Sequence, residues 1–199
     1  LKEGKDCITE VPSERWDYKK YFQAGESAEG KTYSRWGGFI KDADKFDARF
    51  FNISPYQAER MDPQERIFLE TAWKTVEDAG YTKEKLKNES VGVFVGAMYG
   101  HYQLLSQDEF NKGNPFSVSS YFSSIANRVS YHMNFKGPSV TVDTACSSAL
   151  EAIRLGCMNI WNGDCDMSLV GGVNLSLHPQ KYIFLSQSNF LATDGRCHS

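Results

Sequence analysis

A chain of 199 residues with 41% hydrophobic and 14% aromatic side chains has the material for a substantial core, which excludes a disordered segment. Its formal net charge is −3 with both signs interspersed, so there is no basic stripe for nucleic acid and no charge block for a tail. No apolar run approaches the roughly 18 residues of a membrane span, and Leu1-Lys-Glu-Gly-Lys5 lacks a signal-peptide core, so no membrane is expected and the expected setting is cytoplasmic.

Leu1-Lys-Glu-Gly4 reads as the last turn of a helix reaching a glycine cap. Residues 5–38 carry Pro12, Gly25, Gly30 and Gly37-Gly38 and read as a long surface excursion with little regular structure. Asp62-Pro63-Gln-Glu65 then joins an N-cap, a first-turn proline and a glutamate able to close a capping box. The helix it opens sets Phe68, Ala72, Trp73, Val76 and Ala79 on one apolar face and ends at Gly80. Val91-Gly-Val-Phe-Val95 suits a strand covered on both faces. Phe122, Ile125, Ala126, Val129 and Met133 fall at helical spacing along residues 119–133, before the turn Lys136-Gly-Pro138.

The most informative stretch follows. Val140 and Val142 alternate with Thr141 and Asp143 as in a buried strand, while Ala145, Ser147, Ser148 and Ala149 let a helix and a strand approach closely. Cys146 sits at that junction, where a helix N-terminus favours thiolate over thiol. A buried, inert cysteine is the bland alternative, and the flanking residues favour the nucleophile. The helix carries Leu150, Ile153, Cys157, Ile160 and Trp161 as its apolar positions before Gly163. Met167-Ser-Leu-Val170 then reads as another buried strand leading into Gly171-Gly172. Strand, helix and strand form a βαβ unit, so the fold class is α/β with parallel pairing around the reactive turn. The chain stops at Ser199, just after the turn Thr193-Asp-Gly-Arg196, and both ends read as those of an excerpt.

Cys7, Cys146, Cys157, Cys165 and Cys197 are odd in number with no Cys-x-x-Cys pair, so reduced thiols are expected. His101, His132, His178 and His198 are dispersed, and no metal is expected. Cys157 and Cys165 read as packing residues and His178 as a local hydrogen-bonding group. Asp143 and Thr144 either orient the nucleophile turn or serve an interface or backbone-bonding role. Asn127-Arg128 reads as a solvated face, with a partner subunit or carrier protein as the alternative. Gly171-Gly172 lacks the rest of a phosphate-loop pattern and reads as a site of close packing.

Thr141-Val-Asp-Thr-Ala-Cys-Ser-Ser-Ala-Leu150 resembles the active-site segment of β-ketoacyl synthases, the condensing enzymes of fatty-acid and modular polyketide assembly lines. Phe46-Asp47, Phe50-Phe-Asn-Ile-Ser-Pro55, Met61-Asp-Pro-Gln-Glu-Arg66, Glu77-Asp-Ala-Gly80, Val91-Gly-Val-Phe-Val-Gly96, Gly171-Gly-Val-Asn174 and Thr193-Asp-Gly-Arg196 continue the resemblance in order. Ser176-Leu-His-Pro179 and the stretch from Tyr182 to Phe190 look most like ketosynthases of bacterial modular polyketide synthases whose acyltransferases act from separate proteins.

The resemblance implies a thiolase-like layered fold, of which residues 1–199 are a partial ketosynthase domain: roughly the first half, with the family's opening strand and C-terminal half absent. It implies a homodimer paired through the strand before Cys146. It also implies acyl transfer from the phosphopantetheine arm of an acyl carrier protein onto Cys146, then decarboxylative condensation with a malonyl-type extender. The Cys146 N–H would serve as one oxyanion donor, and no cofactor is bound directly. The family's two histidines, one in His-Gly-Thr-Gly-Thr and one after Asn-x-Gly, match none of the four here, so condensation by this chain alone is not expected. The missing half or a complementing chain would supply them. Two other readings stay open: a non-elongating gatekeeping or scaffold half-domain, and another thiolase-like cysteine acyltransferase.

Overall fold

Three short runs, at residues 91–96, 139–142 and 167–172, lie side by side as a parallel sheet. The computed structural model of the chain describes residues 2–25 and 27–198. Its elements are β1 (Ile8–Glu10), β2 (Trp36–Gly38), α1 (Pro55–Arg60), α2 (Pro63–Asp78), α3 (Lys83–Leu86), β3 (Val91–Gly96), α4 (Tyr102–Asn111), α5 (Phe122–Met133), β4 (Ser139–Val142), α6 (Ser148–Trp161), β5 (Met167–Gly172) and α7 (Gln180–Gln187). They divide into two units: Ala43–Leu175, and the residues up to Asp42 together with those from Ser176 onward.

In the unit Ala43–Leu175 the strand order is β4-β3-β5, with Gly96 opposite both Val142 and Gly172. α4 and α5 lie between β3 and β4, and α6 joins β4 to β5 in the expected βαβ unit. Because side chains alternate along a strand, Val91, Val93 and Val95 enter one core with Phe68, Leu69 and Ala72 of α2 and with Ile125, Ala126, Val129 and Met133 of α5. Gly92, Phe94 and Gly96 face α6 instead. β3 is buried throughout, as its apolar run requires.

β4 departs from the expectation of a buried strand. It is an edge strand, and Val140 is 41% exposed. β5, at the opposite edge, is half-buried for the same reason.

α2 starts as expected, with the Asp62 carboxylate accepting the Gln64 N–H at 2.8 Å, Pro63 in the first turn and Gly80 at φ +75° past the end. The capping box does not form. The Asp62 N–H donates to the Ser119 carbonyl, so the Glu65 carboxylate turns inward and takes the Arg128 guanidinium at 2.7 Å and the Ser124 hydroxyl at 2.9 Å. Burial is the first cause holding the Asp62 carboxyl above its ordinary range, against the lowering effect of hydrogen bonds from Ser120 and the Gln64 N–H. Ala79 is exposed and Leu69 is buried in the core.

α6 is the largest correction. Leu150, Ile153, Cys157, Ile160 and Trp161 are all exposed, Leu150 at 71% and Trp161 at 80%. The residues buried on the sheet are Ser148, Ala152 and Gly156. A Cβ on Gly156 would lie 2.7 Å from Val170 Cγ2, and one on Gly96 would lie 2.5 Å from the Ser148 carbonyl carbon. Glycine on the strand and small residues on the helix bring the backbones together at Gly96 and Ser148, while Phe94 and Val170 fill the space under Gly156. Cys165 is buried, as a packing residue should be. The glycine pair acts as expected: a Cβ on Gly171 would meet Phe68 at 2.9 Å and one on Gly172 would meet Ala149 at 3.1 Å.

In the other unit, residues 5–38 are more ordered than their composition indicates. β1 and β2 pair antiparallel with Thr9 opposite Gly37, the Tyr182 hydroxyl of α7 donates to the Trp36 carbonyl at 2.9 Å, and the Thr32 and Ser186 hydroxyls pair at 2.8 Å. Strands of three residues are too short to show a period. His178 accepts the Gln180 N–H at 3.1 Å, the local bond expected of it. Asp194 accepts the Arg196 N–H at 3.0 Å across the expected turn. Lys2 and Glu3 form a turn before Gly4 at φ +60°, while Leu1, like Ser199, lies outside the described residues.

Candidate active site

All three parallel strands end on the same edge. There Ala97 N–H donates to the Val142 carbonyl at 3.1 Å, and Val173 N–H donates to the Gly96 carbonyl at 3.0 Å. The segments 97–101, 143–147 and 173–175 therefore leave the sheet together, at the carboxyl ends where open α/β sheets place their ligands. Cys146 lies in the middle segment, two residues before α6, and is exposed.

The turn that presents it is held by its neighbours. Ala145 has φ +55°, a left-handed conformation that costs an L-residue other than glycine roughly 1 kcal/mol. Four bonds hold it there. The Asp143 carboxylate accepts the Ala145 N–H at 2.9 Å, and the Ser147 hydroxyl donates to the Thr144 carbonyl at 2.7 Å. The buried Ser148 hydroxyl accepts the Thr144 N–H at 2.9 Å and donates to the Ala145 carbonyl at 2.6 Å. Asp143 and Thr144 thus take the backbone-bonding role open to them, and Ser147 caps α6 with no side-chain bond to its first amides.

Two residues that sequence reasoning passed over belong to this edge. The phenol of Tyr99, in segment 97–101, is raised above its ordinary value by burial first and then by the charges of Cys146 and Asp143. Gln64, read only as part of a helix start, donates Nε2–H to the Tyr99 carbonyl at 2.7 Å and accepts the Leu175 N–H on Oε1 at 3.0 Å. His101 packs its ring 5.0 Å from that of Tyr99, and His132 packs against Phe51 and Trp73 on the α2–α5 side. Arg128 is occupied by Glu65, while Asn127 is exposed. Among the described residues no group of three or more His, Cys, Asp or Glu could hold a metal ion, and no helix is long and apolar enough to cross a membrane.

The profile of the family described as beta-ketoacyl synthase, N-terminal domain, matches residues 1–199. The chain belongs to this family. The ketosynthase chain is 51% identical over 199 residues to the polyketide synthase ThaG of Burkholderia thailandensis and 50% identical over 206 residues to the polyketide synthase PksL of Bacillus subtilis, all of this chain being covered in both. It spans 4% of the length of each.

Among solved structures it matches the oxazolomycin ketosynthase domain OzmH KS7 of Streptomyces albus with a TM-score of 0.94, at 50% identity over 98% of this chain and 34% of that one. It also matches the ketosynthase from module 6 of the bacillaene synthase of Bacillus subtilis, with a TM-score of 0.84, at 36% identity over 98% of this chain and 31% of that one. The fold is therefore the thiolase-like α/β fold of ketosynthases, and the chain covers the N-terminal part of such a domain.

Proposed function

We propose that Cys146 is the nucleophile of a polyketide-type ketosynthase and carries the growing acyl chain. The observation that supports this reading best is the exposed thiol on a constrained strand-to-helix turn, at the carboxyl edge of the sheet and beside the uncapped start of α6. In the first stage the thiolate attacks the carbonyl of an acyl chain held as a thioester on the phosphopantetheine arm of an acyl carrier protein. The C–S bond to Cys146 forms, the bond to the carrier breaks, and the carrier thiol takes up a proton. In the second stage a malonyl-type extender on a carrier protein loses carbon dioxide. The resulting carbanion attacks the Cys146 thioester, a carbon–carbon bond forms, and the thiolate is released.

Each attack develops an oxyanion, for which the Cys146 N–H at the helix start is the donor this chain offers. The groups that support decarboxylation are assigned to the rest of the domain. β4 supports the expected homodimer, since an edge strand with an exposed valine offers unpaired backbone groups to a second copy.

Incubation of the intact domain with a hexanoyl-pantetheine thioester, followed by intact mass and peptide mapping, tests the assignment. One acyl group is expected on Cys146, and Cys146→Ser should lower the loading rate on the order of a thousandfold or more. Acylation of another residue, or loading unchanged by Cys146→Ser, overturns the reading.

A further inference from the structure

We infer that Gln64 is a positioning residue of the Cys146 site, a strut whose side-chain amide sets the segment after β3 against the segment after β5. This deepens, and rests on, the reading of Cys146 as nucleophile. Gln64 is 1% exposed and sits in the first turn of α2, where its own N–H is bound by the Asp62 carboxylate. The amide is therefore held at its root, and both of its ends are used over long distances in sequence: Nε2–H to the Tyr99 carbonyl and Oε1 to the Leu175 N–H.

The sheet fixes the other two segments only at their roots, through Ala97 to Val142 and Val173 to Gly96. Beyond those bonds each segment lacks strand or helix until α4 begins at Tyr102 on one side, and through Leu175 on the other. Gln64 ties both at the point where regular structure no longer does. Its polarity matters, because one partner is an acceptor and the other a donor, and an amide is an uncharged side chain that offers both at its two ends. A buried carbonyl or N–H left without its bond is costly, which drives either segment to rearrange. Tyr99 lies two residues past Ala97, whose N–H holds the Val142 carbonyl at the root of the Cys146 turn, and its phenol feels the charges of Cys146 and Asp143, so a shift of the Tyr99 backbone reaches the surroundings of the sulfur. Gln64 bonds Tyr99 and Leu175 rather than Cys146, and acts through Tyr99.

The experiment uses the intact domain and reads the second-order rate of Cys146 alkylation by iodoacetamide together with acylation by hexanoyl-pantetheine thioester. Four proteins are compared: wild type, Gln64→Met, Tyr99→Phe and the double variant. Gln64→Met keeps the volume and loses both bonds, and it should slow acylation by about ten- to a hundredfold. Tyr99→Phe leaves the carbonyl that Gln64 holds and removes the phenol whose placement Gln64 sets, so in that background the same substitution should change the rate by no more than about threefold.

Equal losses in the two backgrounds, or an alkylation rate unchanged by Gln64→Met, would overturn the inference. Should Gln64→Met not fold, Gln64→Glu keeps the acceptor for Leu175 and gives up the amide donor, with an expected loss of about three- to tenfold read by the same coupling. Iodoacetamide needs a reachable thiolate and no acyl chemistry. If the pantetheine thioester acylates nothing in the wild type while alkylation still depends on Gln64 through Tyr99, the functional reading fails and the strut stands.

Discussion

The two faces of the β4-β3-β5 sheet are packed on opposite principles. On one, Val91, Val93 and Val95 meet the large side chains of α2 and α5, and the layers are spaced by interlocked apolar groups. On the other, Gly96 and Gly172 meet Ser148 and Ala149, Gly156 meets Val170 and Phe94, and the start of α6 descends until backbone nearly touches backbone. The first face supplies a core that tolerates small adjustments. The second supplies position, because the close approach leaves α6 and the turn before it few alternatives.

Three substitutions test that contrast, taken by size of effect. Gly96→Val forces a side chain against the Ser148 backbone and should lower stability by more than about 3 kcal/mol in urea unfolding. A smaller loss would mean that α6 can lift from the sheet at no great cost. Ile125→Val removes one methyl group from the α5 face and should cost about 1 kcal/mol, with the rate of Cys146 alkylation unchanged. Ile153→Ser, on the outward side of α6 and 49% exposed, should change the stability of the chain by less than about 0.5 kcal/mol. A cost near 2 kcal/mol there would show that this side is packed.

The same contrast explains what was legible in the sequence. α5 reads correctly because its large residues point inward, so Ile125, Ala126, Val129 and Met133 mark the core face directly. α6 reads inside out, since hydrophobic spacing follows the large side chains while the packed face is carried by serine, alanine and glycine. The small residues flanking Cys146 did announce the close approach, and the strand-to-helix junction was legible from them. β4 misled because alternating valines look the same in a central strand and in an edge strand. Tyr99 and Gln64 carried no pattern at all. Their roles come from bonds spanning 35 residues in one case and 111 in the other, and no local period encodes these. α1, α3 and α4 show no clear face in the sequence, because six, four and ten residues give few turns.

The Ser148 hydroxyl gives the nucleophile turn an unusual chain of command. It belongs to the first turn of α6 yet holds Thr144 and Ala145, the two residues that lead into Cys146, so the loop closes on itself around the sulfur. The aim of that sulfur is consequently governed from the helix that follows it as well as from Asp143 at the end of the strand before it. A small roll or slide of α6 would swing the thiol like a pointer.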